Sequence, residues 1–155
     1  MFLAVDPGID TGWAAFENCG ELIRCGVGDP PFSGYPLADI VVMEKPRVYS
    51  ARNSKGDPNG LIILAMQLGR YWERAEKSGL KSVFVFPQTW KGTVPKDIHN
   101  ARVYGALTPQ EQTIVGKCGT GLAKGKIHNM IDAVGLGKWA YEKDVVKRAR
   151  DGLTG

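Results

Sequence analysis

The chain has 155 residues, 43% of them hydrophobic, and a formal net charge of +4. That length suits one domain with a real core and needs no stapling by disulfides or metal. Three cysteines, Cys19, Cys25 and Cys118, form no CxxC pair, so they are read as reduced thiols and not as a zinc site.

The order of elements starts with Phe2–Val5, a short apolar run suited to a buried strand. Asp6 ends it. An unpaired carboxylate is costly to bury, so Asp6 belongs at the strand's open end, in water or on a cation. Capping of backbone N–H groups in an Asx-turn is the other reading. Pro7-Gly8 turns the chain, Thr11-Gly12 closes the turn, and Trp13–Phe16 returns as a second strand. Glu21–Gly26 reads as a third. Residues 28–36 are a loop with three prolines. Asp39–Glu44 (DIVVME) is a fourth strand and again ends in a carboxylate, Glu44, before Pro46 stops it. Arg47–Asn59 is polar and basic.

Gly60–Gly79 is the clearest helix, with Leu61, Leu64, Ala65, Leu68, Trp72 and Ala75 on one face. Ser82–Phe86 is a fifth strand, and Lys96–Leu107 a basic helix. Thr108-Pro109-Gln110-Glu111 starts another helix, with Thr as N-cap, Pro at the first position and Glu three residues on. A last helix runs from about Ile127 to Arg150, and residues 143–155 read as a charged tail. Strand–helix–strand over Asp39–Phe86 favours parallel pairing. The expected fold is α/β: one domain, a five-stranded mixed sheet and helices on both faces.

Charge is uneven. Between Lys91 and Lys126 stand six basic residues (Lys91, Lys96, Arg102, Lys117, Lys124, Lys126) against Asp97 and Glu111. Such a patch suits a polyanion such as nucleic acid. No apolar run is long enough to span a bilayer and no signal peptide is visible, so a cytoplasmic protein is expected.

Three carboxylates then draw together. If strands one and four are parallel neighbours, they lie about 4.8 Å apart, and Asp6 and Glu44 leave the same edge of the sheet. Asp132 stands in an otherwise apolar helical stretch, NMIDAVGLG, where a buried charge needs a partner. Asn129 precedes it by three residues and His128 by four, so all three share a face. Gly135 and Gly137 weaken the helix but let its backbone approach the sheet. Oxygen ligands of this kind suit Mg²⁺ or Mn²⁺. Two such ions about 3.5–4 Å apart clamp the attacking and leaving oxygens of a phosphodiester displacement.

Asp6-Pro7-Gly8 with Thr11-Gly12 on the first strand, the apolar run ending in Glu44, and His128-Asn129-x-x-Asp132-Ala133-x-Gly135 on the last helix together resemble the RuvC-type Holliday junction resolvases. The compact, phage-encoded branch is nearest in feel. The resemblance covers Phe2 to about Tyr141. It implies a ribonuclease H-like fold, a homodimer, and Mg²⁺-dependent cutting of four-way DNA junctions with two ions per site. Asp6, Glu44 and Asp132 match the family's metal-binding carboxylates. The family's fourth position, usually Asp or His, falls here on Asn129, with His128 one residue earlier. His128 is favoured as a catalytic group, because imidazole ligates metal and its cation contacts phosphate or passes a proton. Lys91, Lys96, Lys124 and Lys126 would flank the site as phosphate contacts. Arg47, Tyr49, Arg52 and Lys55 follow Glu44 and would enter the junction centre, with Tyr49 stacking on a base. Trp90 and Trp139 read as core or dimer contacts.

Three rivals remain. One is another ribonuclease H-like nuclease acting on flaps, branched DNA or RNA. The second is a sugar-kinase or actin-type phosphate loop, but that superfamily needs two such domains. The third is a DNA-binding module without catalysis.

Overall fold

The computed structural model describes residues 1–35, 38–47 and 58–153. Five strands, β1 (Phe2–Asp6), β2 (Gly12–Phe16), β3 (Leu22–Val27), β4 (Ile40–Glu44) and β5 (Lys81–Val85), form one sheet in the order β3-β2-β1-β4-β5. β1, β2 and β3 are an antiparallel meander, and β4 and β5 join in parallel. The expected five-stranded mixed sheet is therefore present.

Alternation along the strands splits the core in two, because successive side chains point to opposite faces. Phe2, Ala4, Ala14, Phe16, Ile40 and Val42 face one side. Leu3, Val5, Trp13, Ala15, Val41 and Met43 face the other. The first side is covered by α3 (Lys96–Ala106), α4 (Pro109–Gly119), α5 (Lys124–Glu142) and α6 (Val145–Arg150), and the second by α1 (Pro58–Lys77). A short α2 (Pro87–Trp90) follows β5.

α5 is the central helix. It buries nine residues from Met130 to Ala140. Its glycines are close-approach positions: a Cβ on Gly137 would lie 2.0 Å from the Phe16 ring, and one on Gly135 2.8 Å from Val103. α4 carries the expected capping box, with Thr108 and Glu111 bonding reciprocally.

Two expectations change. The first part of the segment read as a charged tail is packed: Asp144 adopts a left-handed φ of 55°, the chain turns, and α6 buries Val146 and Ala149 in the core. Arg150 then fastens it to the start of β4 through Asp39, with Nε to Oδ2 at 2.6 Å and Nη2 to Oδ1 at 2.8 Å. Its charges hid two apolar positions three residues apart, which is one helical turn. The second change concerns α1. Tyr71 and Ala75 are buried, whereas Trp72 is half exposed and Ala65 exposed. A helix of 20 residues is about 30 Å long, while a five-residue strand spans about 17 Å. The sheet covers part of such a helix, and Ile62, Ile63 and Met66 stay exposed.

All three cysteines are free. Among the described residues no helix is long and apolar enough to cross a membrane.

Candidate active site

The parallel register of β1 and β4 pairs Val5 with Met43, so Asp6 and Glu44 are the next residues of adjacent strands. α5 packs across β1 and β2 and carries Asp132, which is 1% exposed. The three carboxylates thus stand at one end of the sheet, delivered by two strands and a helix.

Their proximity is visible in Asp6. Its pKa is pushed up to about 8, first by burial, then by the negative charge of Glu44, with Asp132 adding to it and Lys91 and Lys96 opposing. A third ionised carboxylate beside two lysines would be one charge more than they balance, and the raised pKa lets the Asp6 carboxyl keep its proton near neutral pH.

Glu44 receives two groups from the end of α2. Trp90 Nε1 donates to Oε2 at 2.7 Å. Lys91 Nζ lies 2.9 Å from Oε2 and 3.2 Å from Oε1. Burial alone would lower the Lys91 pKa, but the charges of Glu44, Asp6 and Asp132 raise it overall, so it is a firmly held ammonium. Asp132 receives two groups from α3. Asn100 Nδ2 donates to Oδ1 at 2.7 Å, and Lys96 Nζ lies 3.2 Å from Oδ2. Lys96 also donates to Asn129 Oδ1 at 2.7 Å. Asn129 Nδ2 in turn donates to the Asp10 carbonyl at 2.8 Å, and Lys126 pairs with the Asp10 carboxylate at 3.3 Å.

Among the described residues no group of three or more His, Cys, Asp or Glu side chains closes tightly enough to hold a metal ion. Lysine ammonium groups stand on Glu44 and Asp132 instead. The donor set nonetheless fits a hard divalent cation: the three donors are carboxyl oxygens, and a divalent charge among them would favour release of the Asp6 proton.

His128 sits half-buried in the first turns of α5. Its carbonyl accepts from Asn100 Nδ2 at 3.4 Å, but among the described residues its imidazole has no hydrogen bond or ion pair. Lys124 is exposed at the start of α5. Arg47 donates to Gln88 Oε1 at 3.4 Å and lies over the Phe86 ring. Tyr49, Arg52 and Lys55 lie outside the described residues. Lys91 and Lys96, expected as phosphate contacts, are engaged with carboxylates.

Sequence reasoning missed Trp90, Asn100 and His99. Trp90 is expected in the core or at a dimer contact, yet its N–H faces Glu44. His99 meets the Trp90 ring edge-on, with ring centres 4.9 Å apart, and burial lowers its pKa. Asn100 had a signal: it lies one turn after Lys96, on the same face of α3.

No protein-family model matches the chain, and no curated protein matches its sequence. Solved structures do. RuvC from T. thermophilus in complex with Holliday junction substrate aligns with a TM-score of 0.55 at 17% identity, over 98% of this chain and 96% of that one. A second Thermus thermophilus RuvC structure aligns over the same shares with a TM-score of 0.48. The five-stranded mixed sheet with its flanking helices is thus the fold of RuvC, a ribonuclease H-like fold.

Proposed function

We propose that this protein is a metal-dependent endonuclease that resolves four-way DNA junctions by paired phosphodiester hydrolysis. The observation that carries this reading is the meeting of Asp6, Glu44 and Asp132 at one end of the sheet, beside Lys91 and Lys96. The likeness in fold to a RuvC bound to Holliday junction substrate supports the choice of DNA branch point.

Asp6, Glu44 and Asp132 would hold Mg²⁺ or Mn²⁺, two ions per site, with Asn129 Oδ1 as a further oxygen. When bound, such ions stabilise the attacking and leaving oxygens of the displacement. The chain's own groups do the rest. Lys91 and Lys96 exchange their carboxylates for phosphate oxygens of the DNA, with Lys124 and Lys126 farther along the same basic face. His128 contacts phosphate or passes a proton. Arg47, Tyr49, Arg52 and Lys55 reach the crossover.

Two sites are needed for paired cuts, and a two-fold dimer supplies them. The exposed Ile62, Ile63 and Met66 of α1 (58%, 45% and 69% exposed) offer the apolar surface for it.

The test is cleavage of a synthetic four-way junction beside linear duplex, with Mg²⁺ present and absent. Symmetric nicks in the junction alone are expected. Asp6→Asn, Glu44→Gln and Asp132→Asn should each abolish cutting and leave junction binding largely intact. Equal competition by duplex at about 0.1–0.2 M salt, or faster cutting of flaps or RNA, would move the reading to a general ribonuclease H-like nuclease.

A further inference from the structure

Residues 90–100 treat two carboxylates alike. Each receives from this segment one neutral N–H and one ammonium: Trp90 and Lys91 on Glu44, Asn100 and Lys96 on Asp132. The two kinds of donor are not equivalent. The Lys96 side chain is 52% exposed and the Lys91 side chain 24%; each ammonium sits on a flexible stem and can exchange partners, Lys96 the more freely. Asn100 is 4% exposed and is fixed by packing.

Asn100 is also an expensive residue to keep there. Its Oδ1 is buried and has no partner among the described residues. An unsatisfied buried carbonyl destabilises a fold, and an apolar side chain of similar shape would avoid the loss. What Asn100 gains in exchange is the 2.7 Å bond to Asp132. Trp90 is partly buried, and its ring is packed on two sides. His99 meets its ring on one side, and α5 passes so close that a Cβ on Gly135 would lie 3.1 Å from Trp90 Cζ3. The direction of its N–H is therefore set by packing, not by Glu44.

We infer that Trp90 and Asn100 are positioning residues: their N–H groups fix the planes of the Glu44 and Asp132 carboxylates, so that Glu44 Oε1 and Asp132 Oδ2 are the oxygens offered to a divalent cation once the lysines withdraw. The inference rests on the metal-dependent reading above. Neither residue touches the reacting atoms. Their effect passes through the ligands, as with other groups that orient metal-binding side chains.

The experiment is calorimetric titration of the full chain with Mn²⁺, without DNA, for wild type, Trp90→Phe, Asn100→Leu and Lys96→Met, with the melting temperature of each. Trp90→Phe keeps a ring against His99 and removes only the N–H donor. Both Trp90→Phe and Asn100→Leu should weaken Mn²⁺ binding about 10–100-fold, the usual range for such partners. Lys96→Met should tighten it, because a competing cation is gone. A merely structural role would lower the melting temperature and leave Mn²⁺ affinity at the wild-type value, and that result overturns the inference. Wild type that binds no Mn²⁺ overturns the metal-dependent reading itself, and the inference with it.

Discussion

Gly12 stands against the backbone of Asn129: a Cβ on Gly12 would lie 2.0 Å from the Asn129 carbonyl oxygen and 2.5 Å from its carbon. Gly12 is also the residue paired with Asp6 across β1 and β2. One missing side chain therefore sets how closely the start of α5, which carries Asp132, approaches the strand end that carries Asp6. The Asn129 bond to the Asp10 carbonyl stitches the same contact from the other side.

Gly12→Ala should accordingly be worse than an ordinary overpacking mutation. The clash is with backbone, which cannot swing aside as a side chain does. We expect a loss at or above the upper end of about 1–3 kcal/mol in urea unfolding, and a loss of junction cleavage per folded molecule larger than stability explains. Wild-type cleavage from a folded Gly12→Ala protein would remove the link between this contact and the site.

Asp6 predicts a pH dependence of the metal-free protein. Its carboxyl is raised from 3.8 to about 8 in the fold, chiefly by burial and then by Glu44. The folded state holds this proton more tightly than the unfolded chain, so the group's contribution to stability is fully present below about 3.8 and is lost as pH rises through about 8. Asp6→Asn is neutral at every pH. In the presence of a chelator it should melt above wild type at pH 9, by about 2–4 °C for each kcal/mol recovered, with the gap closing toward pH 5. Parallel melting curves across that range would show that the charge carries no such cost.

His128 and Asn129 should separate in kinetics. Asn129 is held at both ends, by Lys96 and by the Asp10 carbonyl, whereas the His128 imidazole has no hydrogen bond or ion pair among the described residues. His128→Ala should slow junction cleavage more than about tenfold, within the range for loss of a general acid or base. Asn129→Ala should slow it less. The reverse order would remove His128 from the chemistry and leave Asn129 as the fourth functional group of the site.

Glu111 is a structural counterpart, away from the site. It is 2% exposed and accepts from Leu22 N at 2.9 Å, from Thr108 N at 3.0 Å and from Lys138. Burial works to raise its pKa, but the Lys138 ammonium and the two backbone N–H groups outweigh it and hold the carboxyl below its ordinary range. The stability it supplies is present above that ordinary range and is lost as pH falls through the depressed value. Glu111→Gln leaves Lys138 without its counter-charge and should cost about 3 kcal/mol at pH 7, read in urea unfolding. Cleavage per folded molecule should stay at the wild-type rate.

Local chemistry was legible in the chain itself. Short apolar runs mark the strands, Pro and Gly mark the turns, Thr108 and Glu111 mark the start of α4, and Gly137 marks the approach of α5 to the sheet at Phe16, whereas Gly135, read as approaching the sheet too, meets Val103 of α3. These signals span a few residues, because backbone propensity and side-chain period act over that range. The carboxylates ending β1 and β4 were visible in the same way, as charges where apolar runs stop. What the tertiary structure alone decided is which groups meet across long stretches of chain. Trp90 reaches Glu44 over 46 residues and Arg150 reaches Asp39 over 111. Such pairs depend on the sheet order and on how α2, α3 and α6 dock, and no local period encodes them. The same holds for Lys91 and Lys96. In the sequence they are two basic residues in a basic stretch, and only packing puts them on the carboxylates, where charge, not periodicity, selects the partner.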